Sequence, residues 1–280
     1  MTDDEASTAD ELAAKEREIY EHPGSRAHRR ITNLARVFEV WRDFTFSLDN
    51  VLLQCESDEN VIHALMRQSE PRGREVVERE LDKSLLAYVA GLVAVVDQSR
   101  PVVKLLTSDL QKEAAERLNT LKRAQPGAIF LAKLRNYVLH YLSAPWSFHA
   151  ELIPEPVRGS VGVSTAQLLE WPDWPRDAQE FLRGSGDRLL MRPLVRGHYE
   201  AQAAYVGWLH DAAHDSQATV RDEVNALIAE RNLILTGGVS DGTDWSERTE
   251  HLQENLRRQS AGEPQIPYDE WRRVGQHGPK

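Results

Sequence analysis

Apolar residues recur every three to four positions across most of the first half of this chain, and no other feature limits its fold so strongly. Ile31, Leu34, Val37, Phe38, Trp41, Phe44, Leu48, Val51 and Leu52 form one such stripe. That spacing is one face of an α-helix, and it predicts a helix from about Ser25 to Gln54. A shorter helix is expected around Asn60–Gln68. Val76, Val77, Leu81, Leu85, Leu86, Val89, Leu92, Val95 and Val96 predict another from about Arg74 to Gln98, which Pro101 either interrupts or restarts as a first-turn proline. Ser108-Asp109-Leu110-Gln111 fits a capping box and opens a charged helix to about Arg123. Gln125-Pro126-Gly127 is a turn. The helix after it runs from about Ala128 to Leu142 and stops at Ser143-Ala144-Pro145.

Short apolar runs then surround Pro154-Glu155-Pro156 and Arg158-Gly159, so Phe148–Ile153 and Ser160–Ser164 read as a small β-hairpin. Trp171-Pro172-Asp173-Trp174-Pro175 is a loop with two large aromatics. Short helices are expected near Thr165–Glu170 and Arg176–Arg183. A long helix is expected from about Leu194 to Leu235, closed by Gly237-Gly238. Together these elements predict a mainly α fold, an antiparallel helical bundle with a small β-hairpin. The expected organisation is an acidic N-terminal segment (1–24), a helical domain (25–235) and a flexible polar C-terminal tail (236–280).

Composition narrows the setting. The chain is 41% hydrophobic and 28% charged over 280 residues, the balance of a soluble globular protein. No apolar run reaches the roughly 18–20 residues of a membrane span, and the acidic N-terminus has no apolar core of a signal peptide. A single cysteine, Cys55, cannot close an internal disulfide. A cytoplasmic location without a membrane partner is therefore expected. The net charge of −10 is the wrong sign for non-specific coating of nucleic acid, yet it is unevenly spread. Residues 1–22 hold eight acids against Lys15 and Arg17, whereas residues 100–140 hold eight bases against Asp109, Glu113 and Glu116.

That basic stretch ends in Lys133-Leu134-Arg135-Asn136-Tyr137-Val138-Leu139-His140-Tyr141. Arg, Asn and His here interrupt a segment that otherwise reads as a buried helix. Burying such groups unpaired costs roughly 1–3 kcal/mol each. Either they meet partners inside the fold, with Arg135 on an acid and His140 a satisfied core histidine, or they line a site. Asn136 and His140 are four apart and share a helix face. Arg135 lies roughly 140° from His140 at about 100° per residue. One helix therefore aims both at a single phosphate only with help from the long arginine side chain or from a second subunit across a two-fold axis.

Arg135-Asn136, three residues, then His140 resembles the signature of the HEPN domain family: Arg, four to six residues, then His, with a polar residue after the Arg. The Ser84–Arg100 stretch (SLLAYVAGLVAVVDQSR) is similar to the preceding core helix of HEPN-like bacterial proteins, and the resemblance spans about residues 25–235. It implies a metal-independent endoribonuclease acting as a homodimer on RNA. Toxins of toxin–antitoxin or abortive-infection systems are frequent in the family, so it also implies an antitoxin or defence-system partner. On this resemblance His140 is the general acid/base at the ribose 2′-OH or the leaving 5′-oxygen, Arg135 holds the scissile phosphate, and Asn136 orients one or the other. Lys133, Tyr141 and His149 are the candidate RNA-binding neighbours. The side chains suit that chemistry: histidine takes and gives protons near neutrality, and the arginine fork matches phosphate oxygens. No cofactor or metal is expected, because the 2′-OH is an internal nucleophile. Family members with degenerate sites imply a second possibility, a non-catalytic module that binds RNA or protein.

Other signals are weaker. His210 and His214 are spaced to share a metal but lack a third ligand nearby, so a solvated helix face is the expectation. Arg26, His28, Arg29 and Arg30 form a basic cluster at a helix start, read as an offset to the acidic segment before it or as a contact for RNA backbone. Ser143, Ser147 and Cys55 have no neighbouring pattern that would make them nucleophiles. Arg183-Gly184-Ser185-Gly186 lacks the ending of a phosphate loop.

Overall fold

The structure, a computed structural model, describes residues 3–67, 71–141, 143–151, 156–235, 245–260 and 262–275. Helices α1 (Asp3–Glu21), α2 (Pro23–Ser57), α3 (Glu59–Met66), α4 (Pro71–Val103), α5 (Ser108–Ala124) and α6 (Ala128–Tyr141) come first. Strands β1 (Trp146–Glu151) and β2 (Arg158–Ser164), helices α7 (Thr165–Leu169) and α8 (Arg176–Gly184) and strand β3 (Arg188–Leu190) follow. Helices α9 (Met191–Ser216), α10 (Ala218–Leu235), α11 (Trp245–Ser260) and α12 (Tyr268–Gly275) complete the chain. The architecture is mainly α, a helical bundle with one small antiparallel sheet. The chain divides into two compact units, His22–Glu223 and Met1–Glu21 with Val224–Lys280.

In the larger unit α2 and α4 form the central pair, joined by α9, and α6 packs against α4 and α8. Their apolar stripes meet in one continuous core. Trp41, Tyr88 and His198 sit at its centre. The Trp41 indole donates to the Tyr88 carbonyl at 3.1 Å, and the Tyr88 hydroxyl lies 3.0 Å from His198 Nδ1. By length and composition α4 could cross a membrane; here its apolar face, Leu81 to Val102, is buried in the bundle. Charges spaced along the helix keep it from forming an uninterrupted apolar run.

Helix ends follow local chemistry. Pro23 opens α2 while the His22 side chain accepts from the Gly24 N–H, and Asp58 ends α2 and caps α3 by accepting from Asn60 and Val61. Pro101 neither breaks nor restarts α4, which runs through it to Val103. The position lies so near the helix end that little hydrogen bonding is sacrificed. The capping box expected at Ser108 does not form. Thr107 is the cap residue without a side-chain bond, and the Gln111 amide instead donates to the Leu106 carbonyl at 2.9 Å.

The expected hairpin is present, with Trp146 opposite Val163 and Glu151 opposite Arg158; its turn at 152–155 lies outside the described residues. A third strand, β3, pairs with the other edge of β2 through Gly162–Leu190 and Ser164–Arg188. Arg188 ties the sheet together by donating from Nη2 to the carbonyls of Ser147 and Ser160. At Gly159 a Cβ would run into the Cys55 carbonyl, so β2 approaches the end of α2 where only glycine fits.

The single helix expected over 194–235 is two. It breaks at Gln217, whose side chain donates to the Leu105 carbonyl at 2.8 Å, and its expected Gly237-Gly238 stop lies outside the described residues. In the smaller unit Lys15 pairs with Glu18 and Glu230. Within 236–280 the described residues include α11 and α12. Asn255 accepts from the Ile266 N–H at 2.9 Å and donates to its carbonyl at 3.0 Å, while His251 packs on Tyr268 and Trp271.

Candidate active site

Helix α6 begins at the 125–127 turn, where the Ala128 N–H bonds the Gln125 carbonyl. A Cβ on Gly127 would meet Leu194 and Phe181 at 2.5 and 2.9 Å, so this end of α6 lies tight against α9 and α8. Its buried side is Phe130, Leu131, Leu134, Tyr137 and Val138. At its other end Asp82 on α4 accepts from both the Ala144 N–H at 3.0 Å and the Trp146 indole at 2.8 Å. One carboxylate thus fixes the chain as it leaves α6 and enters β1.

The polar residues of α6 lie outside that packing. Lys133, Asn136 and His140 are exposed, in line along the solvent face, and Arg135 is half-buried at the opposite edge of the exposed strip. Leu139, 47% exposed, fills the space between the edges. The side chains of Arg135, Asn136 and Lys133 make no hydrogen bond or ion pair with any other described residue. His140 is therefore no satisfied core histidine, and no acid among the described residues holds Arg135. As the helix angle requires, Arg135 and His140 do not converge within one chain. Asn136 shares the face of His140.

The contact His140 does make is aromatic. Its ring centroid lies 6.2 Å from Trp171, which packs edge-on against Trp174 at 4.7 Å. Tyr137 stacks on Trp174 at 5.7 Å and meets Tyr141 at 4.7 Å. Trp174 is anchored by its indole N–H on the Leu168 carbonyl at 2.6 Å. Burial raises the Tyr137 phenol above its ordinary range, and the nearby Tyr141 and Glu170 add to that. Tyr141 is 55% exposed. Sequence reasoning assigns no role to Trp171 and Trp174 or to Asp82 at the exit of α6. The doubled Trp-Pro of residues 171–175 is the sign that could have found the pair, since rigid loops carrying large aromatics are built to pack against something.

The remaining candidates lie elsewhere. His149 is exposed on β1 opposite Ser160, and no hydrogen bond or ring contact joins it to α6 among the described residues. His210 and His214 stack at 6.4 Å, but their partners are Asp211 and Arg221. Among the described residues no three His, Cys, Asp or Glu side chains gather as a metal site. Burial, with the charge of Glu56, pushes the Cys55 thiol up to about 12, which leaves it un-ionised and poorly nucleophilic.

Two surface grooves stand out. One, on α4, is lined by Glu75, Glu78, Arg79, Asp82, Lys83 and Leu86. The other is basic and lies along the first half of α2. Neither of these two grooves includes an α6 residue. In comparisons with family models, characterised proteins and solved structures, the chain matches none.

Proposed function

We propose that the protein is a metal-independent endoribonuclease of the HEPN type, working as a homodimer with Arg135, Asn136 and His140 at a shared site. The observation that carries this reading is the state of the three side chains. An arginine, an asparagine and a histidine stand on one rigid helix, and no described residue bonds them. Groups that contribute no structural bond, yet match phosphate binding and proton transfer, fit a role toward a ligand.

Cleavage through the 2′-OH needs one proton taken from that hydroxyl and another given to the departing 5′-oxygen. The 2′-oxygen bonds to phosphorus as the P–O5′ bond breaks, leaving a 2′,3′-cyclic phosphate and a 5′-hydroxyl. Two copies of α6 facing each other across a two-fold axis supply two histidines, one on each side of the scissile bond, and two arginines for the phosphate oxygens. Leu139, exposed between them, suits the dry centre of such a contact. Lys133 and Tyr141 flank the strip as a backbone contact and a stacking face, while His149 contacts RNA outside the catalytic centre. An enzyme of this kind acts on cytoplasmic RNA and calls for an antitoxin or defence-system partner to restrain it.

The second reading, a non-catalytic module binding RNA or protein, is favoured by one observation: within a single chain Arg135 and His140 do not converge. The two separate in one experiment. Purified wild type and His140→Ala are incubated with tRNA and mRNA in EDTA, and their melting temperatures are compared. The nuclease reading expects cleavage by wild type, a drop of at least 100-fold in the variant, and melting within about 2 °C. Absence of cleavage by both, with RNA binding retained, supports the non-catalytic module.

A further inference from the structure

The first sixteen residues of α2, Pro23 to Phe38, carry four arginines and His28 but no acid. This is unusual for the chain. On other helices many exposed cations are met by acids one turn away, as in Arg74–Glu78, Arg100–Asp97, Arg117–Glu113 and Arg176–Glu180. Here Arg26, Arg29, Arg30 and Arg36, with His28, line a groove of about 610 Å³ in a protein of net charge −10. The side chains of Arg26, Arg30 and Arg36 bond no other described residue. Arg26 also stands in the first turn, where the helix dipole disfavours a cation by some tenths of a kcal/mol. Helix stability does not account for this cluster.

We propose that the groove holds the sugar–phosphate backbone of single-stranded RNA. Arginines at 26, 29/30 and 36 follow one face of α2 over three turns, an elongated track rather than a point. Guanidinium forks bind phosphate oxygens in pairs. The Asn33 amide, bonded to Gln98 of α4 at 3.3 Å, adds neutral donors and acceptors of the kind that contact sugar hydroxyls. Among the described residues no Phe, Tyr, Trp, Leu, Ile, Val or Met side chain lines the groove, so those residues offer neither a broad stacking platform nor an anchor into a lipid layer. Recognition there is of backbone, independent of sequence. The site is separate from α6 and requires no cleavage, so it is tested apart from the nuclease reading.

The test is fluorescence anisotropy with a labelled 20-nucleotide single-stranded RNA, measured across a series of salt concentrations in EDTA. The proteins are full-length wild type, the triple variant Arg26→Gln/Arg30→Gln/Arg36→Gln, and a charge control, Lys112→Gln/Arg158→Gln/Arg176→Gln, whose positions are all exposed. Removing one arginine–phosphate pairing should reduce the salt slope by about 0.7. The triple variant is therefore expected to show a slope smaller by about 2 and an affinity at least tenfold weaker at about 0.1 M salt. The control should bind within about threefold of wild type. Equal binding and slope in wild type and the triple variant would overturn the proposal. So would a groove-dependent preference for polyglutamate or for anionic phospholipid vesicles over RNA.

Discussion

His198 is a structural residue at the centre of the core. It is 2% exposed and bonded to the Tyr88 hydroxyl, and burial holds it down at about 4. In the unfolded chain it titrates near 6.5. The folded state therefore binds fewer protons than the unfolded state between those values, and stability falls as pH drops from about 6.5 toward 4. The decrease from this group alone reaches on the order of 3 kcal/mol by pH 4. Urea unfolding at pH 7.5 and 4.5 should show a smaller acid-induced decrease in His198→Gln than in wild type; an identical decrease would contradict a neutral, buried imidazole. The pairing joins residues 110 positions apart, which no local pattern reveals. Arg135, Asn136 and His140 are legible because they offend a local pattern, being polar groups on an apolar helix. Their exposure is not legible, since it depends on how α4 and α8 cover the other face.

At the scale of elements, periodicity locates the long helices because burial of an apolar stripe is what forms them. It fails where a few bonds to distant carbonyls decide the outcome, as at Gln217, where the long C-terminal helix breaks, and at Gln111, where the capping box is not made. β3 is three residues long, too short for alternation to register, and exists because the edge of β2 offers it partners. The end of α6 depends on Asp82 in the same non-local way. Asp82→Ala leaves the Ala144 N–H and the Trp146 indole without their acceptor, at an expected cost of about 1–3 kcal/mol. Hydrogen exchange should then rise at 143–147 while the centre of α4 stays protected. Unchanged exchange there would mean that the carboxylate does not hold this exit. Gly159→Ala should destabilise by about 1–3 kcal/mol, because backbone rather than a movable side chain blocks the added methyl; thermal melts equal to wild type would contradict that close approach.

For the molecule as a whole, Lys133, Asn136 and His140 lie exposed on α6 while Arg135 sits at the opposite edge, and the proposed chemistry needs a second copy. Leu139 is the apolar centre of the strip. In the proposed dimer Leu139→Glu would place like charges across the two-fold axis, so sedimentation should show less dimer than for wild type, with cleavage falling in parallel. A variant that remains dimeric would place the contact elsewhere. The most direct test of the central claim is the chemistry of the cut RNA ends. Wild type incubated with tRNA in EDTA should leave 2′,3′-cyclic phosphate and 5′-hydroxyl termini by mass spectrometry, and His140→Ala should leave none. Ends bearing 5′-phosphate, equal cleavage by the variant, or no cleavage by wild type would contradict the assignment of His140 as the proton-transfer group of a metal-independent ribonuclease.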